Sequence, residues 1–309
     1  MSQANTSSPM SGSFRLFRLG GISVYLHWSW LVVAVMSLQY RAEKYGSQAW
    51  AVAEYLSLFA IVLMHEFGHA LACRSVGGRA DHIVLWPLGG IAFVNPPPRP
   101  GALLWSIAAG PLVNVVLVPI TVGAMLLASA LGLSESGDGF RFLENLAWMN
   151  FWLLLFNLLP IYPLDGGQIL HALLWFVVGR ARSLLIASVI GLVIGIGVAF
   201  VALGGLAIGR GNPWLGIVSA FVAWQSYIGF RQARSLARIE SSRRPEAACP
   251  ACGTHPPAMD VWVCSRCRKS FDLFATEGVC PKCGQRYAET ACPQCQRVSP
   301  VASWFVRRW

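Results

Sequence analysis

His65-Glu66-Phe67-Gly68-His69 stands inside a run of apolar residues long enough to cross a bilayer. On a helix, imidazoles four positions apart share one face, and both can bind a single Zn²⁺. Glu66, between them, is placed as a general base toward a water molecule. Ionisable residues are costly in hydrocarbon and there mark functional sites. A buried His-Glu-His trio with neither metal nor compensating charge would be expensive. The pattern predicts a zinc protease working within a membrane.

A second segment carries complementary chemistry. Asn157-Leu158-Leu159-Pro160-Ile161-Tyr162-Pro163-Leu164-Asp165-Gly166-Gly167 closes a later apolar run. Its prolines each remove a backbone donor and its glycines permit sharp turns, so a helix should break here. An Asp oxygen is a competent third zinc ligand that leaves the fourth position open. Taken alone, the segment reads equally well as a turn or as the source of a ligand.

These residues need helices to position them, and the composition supplies membrane helices. Of 309 residues, 55% are hydrophobic and 12% charged, against about 25% charged in a soluble domain. Apolar runs at 24–38, 49–72, 102–133, 146–160, 184–208 and 213–230 give about six spans of roughly 20 residues. Residues 169–179 are too short to cross and read as a partial helix. No A-x-A-like site follows the first run, so it is read as retained rather than as a signal peptide. The fold class expected is an α-helical polytopic membrane protein with a small C-terminal zinc-ribbon domain.

Lys and Arg in short loops set orientation. Twelve of them fall on the side that includes Arg15, Arg74, Arg180 and Arg231, and four on the other. The expected product is a multi-pass protein of the cell membrane with both termini cytosolic and the His-Glu-His segment toward the cytosolic half.

Taken together with Trp86-Pro87-Leu88-Gly89-Gly90 and Gly110-Pro111-Leu112-Val113-Asn114, the chain resembles the site-2 protease family of intramembrane zinc metalloproteases. The resemblance covers about residues 25–167. It implies that His65, His69 and Asp165 bind a catalytic zinc, that Glu66 is the base and that Asn157 stabilises the oxyanion. It implies a bundle of membrane helices, a strand region near residues 82–94 that can offer an edge to an unwound substrate, and cleavage in or near transmembrane segments of membrane proteins. Two rivals stand beside it: another zincin, with Glu144 as third ligand, and a catalytically idle membrane anchor presenting its ribbons to a protein or nucleic-acid partner.

Other polar residues receive structural roles: His27 an interfacial one beside Trp28 and Trp30, His171 as a satisfied histidine, Glu54 snorkelling from the outer end of the second span, and Asn114 hydrogen-bonded across helices.

The C-terminal part is different in kind. From Arg231 onward it holds 13 of the 24 Lys+Arg and eight of the nine cysteines. Cys249/Cys252, Cys264/Cys267, Cys280/Cys283 and Cys292/Cys295 form four CxxC knuckles, enough for two structural Cys₄ zinc sites. Neighbouring knuckles would pair into two successive ribbons; pairing of first with last is the other arrangement. Eight thiolates and two Zn²⁺ lower the formal charge from +10 by four. The organisation expected is a cytosolic tail at 1–20, a membrane-embedded metalloprotease domain at 21–231, a basic linker at 232–248, a double ribbon at 249–297 and an aromatic, basic tail at 298–309. The ribbons suit a cytosolic protein partner better than nucleic acid, although Trp262, Phe271, Phe274 and Tyr287 are of a type that stacks on bases. Ser303 to Trp309 suits the bilayer interface or a partner.

Overall fold

A computed structural model describes residues 12–305 apart from Glu43, Pro87 and Leu88. The first eleven residues, the Pro87-Leu88 step of the second motif and residues 306–309 of the tail lie outside the described residues. The chain divides into two compact units at Phe230/Arg231.

In the first unit, β1 (Ser13–Leu19) and β2 (Ile22–His27) form a hairpin around Gly20-Gly21. Both glycines have positive φ, +55° and +79°, as a two-residue turn that follows the strand twist requires. The chain then forms α1 (Ser29–Ala42) and α2 (Gln48–Ser75), and returns as β3 (Arg79–Trp86) and β4 (Gly89–Asn95). The sheet order is β1-β2-β3-β4, with β2 and β3 parallel. Such a pair needs a helical crossover, and α1 with α2 provides it. Ile22, Val24, Ile83 and Leu85 pack with Val62, Ala70 and Cys73 of α2, so the sheet backs the helix that carries His65 and His69.

Five more helices follow: α3 (Pro100–Ala130), α4 (Asp138–Asn157), α5 (Asp165–Val178), α6 (Arg180–Ala207) and α7 (Pro213–Ser241). Ser47 caps α2 by accepting from the Ala49 N–H, and Pro100 occupies the first turn of α3. Among the described residues, α2, α3 and α6 are long and apolar enough to cross a membrane. Val116, Ile120, Val193 and Phe200 face outward from α3 and α6, the arrangement expected against lipid.

The first apolar run departs from expectation. Its opening residues, through His27, join β2 and leave α1 only 14 residues long, or about 21 Å, short of a bilayer's hydrocarbon. The alternating Ile22, Val24 and Leu26 bury one face of a strand, a period-2 pattern that overall apolarity hides. Glu54 does not snorkel. It is fully buried, with the Tyr45 hydroxyl donating to its Oε2 at 2.5 Å and Asn145 Nδ2 donating to the same oxygen at 3.3 Å. His27 stacks on Trp86 at 4.2 Å, and His171 Nδ1 pairs with Ser183 Oγ at 2.8 Å; both are satisfied structural histidines.

The second unit repeats one backbone turn four times. In each knuckle the first cysteine N–H bonds the carbonyl five residues on, as Cys249 to Thr254 and Cys264 to Lys269. Its own carbonyl accepts from the residue four on, which has positive φ: Gly253, Arg268, Gly284 and Gln296. The second and fourth knuckles are tips of short hairpins, β5 (Trp262–Val263) with β6 (Ser270–Phe271), and β7 (Glu289–Ala291) with β8 (Val298–Pro300). The core is Phe271, Leu273, Phe274, Val301 and Trp304 with the buried cysteines. Trp304 is 1% exposed and sits 5.0 Å from Phe274 between ring centroids. This residue of the expected interfacial tail is therefore a core residue.

Candidate metal centre

Gly68 and one face of α3 place the membrane site. A Cβ on Gly68 would come within 2.7 Å of the Ala109 carbonyl, so α2 and α3 touch backbone to backbone, as small residues allow in membranes. Ser106, Gly110 and Asn114, four residues apart, form the stripe of α3 that faces the two histidines. His69 Nδ1 donates to the Ser106 carbonyl at 2.9 Å. His65 Nδ1 lies 2.5 Å from Asn114 Oδ1. Gly110 lies beneath both rings: a Cβ there would be 2.3 Å from His69 Nε2 and 2.8 Å from His65 Nε2.

Asp165 reaches the same point from the break between α4 and α5. It is the first residue of α5. Gly166 and Gly167 let the preceding loop lie directly on that turn, since Cβ atoms there would meet the Leu158 carbonyl and the Tyr162 nitrogen at 2.3 Å each. Asp165 Oδ2 is 2.9 Å from His65 Nε2 and Oδ1 is 3.5 Å from His69 Nε2. The two Nε2 atoms are 3.1 Å apart. The residues expected as ligands thus converge, and His65, Glu66 and His69 are each at most 5% exposed.

Hydrogen bookkeeping tests whether this trio suits a cation. A carbonyl only accepts, so His69 carries its hydrogen on Nδ1. The Asn114 oxygen imposes the same on His65. As neutral imidazoles, which zinc ligation requires, both rings then turn Nε2 lone pairs toward each other and toward a carboxylate, with no hydrogen between them. Three electron-rich atoms so close in a buried site repel unless a cation lies among them. Zinc with N and O ligands at about 2.0–2.1 Å would hold them about 3.3 Å apart if tetrahedral, near the separations seen. The Glu66 carboxylate is within 4.8 Å of both histidine donors.

Comparison with known proteins agrees with this chemistry. A model of peptidase family M50 matches residues 53–136 and 121–203. The solved structure of a site-2 protease from Methanocaldococcus jannaschii is similar with a TM-score of 0.53 and 30% identity, over 71% of this chain and 95% of that one. This chain belongs to peptidase family M50, the site-2 proteases. A curated zinc metalloprotease of the same organism is 35% identical over 182 residues, 59% of this chain and 51% of that protein. Stage IV sporulation protein FB of Bacillus subtilis is 34% identical over 122 residues, 38% of this chain and 39% of that protein. The chain thus spans about half the length of the first of these curated relatives. Membership of this peptidase family, with three helices long and apolar enough to cross a membrane among the described residues, marks a membrane protein.

Asn157 is the last residue of α4, half-buried, and its side chain makes no hydrogen bond among the described residues. Asn150 was not legible in the sequence of this M50 chain. It is fully buried, and its Oδ1 accepts from Asn114 Nδ2 at 2.6 Å. Only a helical register aligning Asn150 with Asn114 would have signalled it.

The cysteines make two further clusters, and these are nested, first knuckle with last and second with third, rather than successive. Cys249 and Cys252 meet Cys292 and Cys295, while Cys264 and Cys267 meet Cys280 and Cys283. Backbone pairing explains this nesting. The Ala248 N–H bonds the Trp304 carbonyl at 2.7 Å and Ala247 bridges Phe305, which joins the chain just before the first knuckle to the chain just after the last. Sγ separations are 3.8 and 3.7 Å in the outer cluster, 3.5 and 3.6 Å in the inner. Zn–S bonds of about 2.3 Å give tetrahedron edges of about 3.8 Å, so both clusters fit the metal. The Tyr287 hydroxyl donates to Cys264 Sγ and pulls that thiol down to about 6, favouring the thiolate that binds metal.

Gly110→Ala should displace both rings, which Asn114 and Ser106 keep from swinging away. The expected result is loss of the membrane-site metal and of proteolysis, with the cysteine clusters intact; metal content of the purified variant checks it.

Proposed function

We propose that this protein is an intramembrane zinc endopeptidase that cleaves peptide bonds in or near transmembrane segments of membrane proteins, in regulated intramembrane proteolysis. The observation that carries the reading is the convergence of three metal-ligating atoms, His65 Nε2, His69 Nε2 and an Asp165 oxygen, beside a buried glutamate. These three residues hold the catalytic zinc. When bound, zinc supplies a Lewis acid and makes water acidic enough for a carboxylate to deprotonate.

The chain's own residues do the rest. Glu66 takes the proton from the attacking water and delivers it to the leaving amine. Asn157, with no side-chain hydrogen bond among the described residues, donates its amide N–H to the substrate carbonyl oxygen as negative charge develops there. Edge strand β4 pairs with an extended substrate backbone. Ser106 and Asn114 hold the imidazoles in the tautomer a ligand needs. Two further zinc ions are structural, one in Cys249, Cys252, Cys292 and Cys295, the other in Cys264, Cys267, Cys280 and Cys283. The protein is multi-pass in the cell membrane, with both termini cytosolic. Its ribbon serves a cytosolic protein partner: of the four aromatics that could stack on bases, Phe271 and Phe274, 2% exposed each, are spent on the core, and only Trp262 and Tyr287 stay partly exposed.

Glu66→Gln tests this reading. It removes the base but no ligand, so cleavage of a transmembrane substrate in detergent should fall by at least about 100-fold while zinc content stays unchanged. Retained activity would remove Glu66 from the chemistry. A wild-type protein that holds its zinc and cleaves no membrane substrate would favour the idle anchor.

A further inference from the structure

The carboxamides behind His65 do more than fill space between helices. Asn114 and Asn150 are both fully buried, on α3 and α4. Two contacts join them to each other and a third joins them to α2. Asn150 Nδ2 lies 3.4 Å from the Asn114 main-chain carbonyl. Asn114 Nδ2 donates to Asn150 Oδ1 at 2.6 Å. Asn114 Oδ1 faces His65 Nδ1 at 2.5 Å.

Only one end of this chain has a fixed polarity. A main-chain carbonyl accepts and never donates. It therefore requires the Asn150 NH₂ on its side, which turns Asn150 Oδ1 toward Asn114. That oxygen in turn requires the Asn114 NH₂, which leaves Asn114 Oδ1 for the imidazole. His65 must then carry its hydrogen on Nδ1 and present a bare Nε2 to Asp165 and His69. If both amides turned over, Asn150 Oδ1 would face a carbonyl oxygen and Asn114 would present N–H groups to His65. The imidazole would answer with its other tautomer, whose Nε2–H cannot bind a cation. His69 needs no such relay, because Ser106 supplies a carbonyl directly.

We propose that Asn150 and Asn114 form a tautomer lock, reading the polarity of the α3 main chain and transmitting it to zinc ligand His65. Both are positioning residues, and neither touches substrate. The proposal rests on the zinc reading of His65, His69 and Asp165. It predicts that Asn114 needs its oxygen more than its shape. Asn114→Asp keeps an acceptor for His65 Nδ1, whereas Asn114→Leu removes it. Asn150→Leu leaves Asn114 free to turn over.

The experiment uses the zinc-loaded full chain in detergent. Chelator is titrated in and zinc per chain is counted, the membrane-site equivalent being the one that Asp165→Ala lacks. Asn114→Leu and Asn150→Leu should release it at chelator concentrations about 10- to 100-fold lower than wild type. Asn114→Asp should hold it within a few-fold. Ring ¹⁵N shifts of wild-type His65 should show hydrogen on Nδ1, a measurement that stands even if a leucine variant does not fold. Wild-type affinity in both leucine variants, release from a folded Asn114→Asp as easy as from Asn114→Leu, or a bare Nδ1 in wild type would each overturn the lock. If wild type holds no Asp165-dependent zinc, the metal reading fails first, so the two failures are distinguishable.

Discussion

Asp165→Ala should yield a protein with two zinc ions rather than three and no proteolysis above background. In the proposed site Asp165 is the anionic ligand, and its oxygens lie 2.9 and 3.5 Å from the two imidazole nitrogens. Without it, two neutral nitrogens in a buried site must hold a dication, and the loss is of affinity as well as reactivity. The contrast with Glu66→Gln is the sharp part: one variant loses metal and activity together, the other activity alone. Elemental analysis of both, with cleavage of one transmembrane substrate, measures it. An Asp165→Ala protein with three zinc ions and full activity would place the third ligand elsewhere.

The ribbon should give an equally large effect, because structural zinc is worth about 10–16 kcal/mol in small zinc folds. Nesting makes a specific forecast for paired substitutions. Cys252→Ser with Cys295→Ser strikes one cluster and should lower the count from three zinc ions to two, with the inner cluster intact. Cys252→Ser with Cys264→Ser strikes both clusters and should leave one ion, at the membrane site, with the ribbon unfolded. Neighbour pairing reverses the two outcomes. Zinc counts for the two double variants, with amide dispersion in the NMR spectrum of each, decide between the arrangements.

Chemistry-bearing residues were legible early because their types are rare where they stand. Two histidines and a glutamate at helical spacing in an apolar run have few inexpensive structural uses, and four CxxC knuckles in a short basic segment have fewer. Asp165 was only half legible. Its segment reads as turn or ligand alike until the glycines that seat the 158–162 backbone on α5 are seen at work. The first apolar run misled because hydrophobicity reports burial, and a buried strand satisfies it as well as a span does. Glu54 misled for a related reason: a lone acid near a helix end suggests solvent, and nothing local announces that Tyr45 and Asn145 reach it.

The sequence by itself determined the reaction class, the membrane setting, three candidate ligands and the number of cysteine clusters. Each of these follows from residue type and short spacing, which covalent geometry transmits directly. Tertiary structure alone decided which knuckles cluster, which carbonyl and carboxamide hold each imidazole, and that Trp304 is core. Those facts depend on pairing across long separations, such as Ala248 with Trp304 and Asn114 with Asn150. Such pairings are selected by the packing of the whole unit, and a linear pattern carries no trace of them.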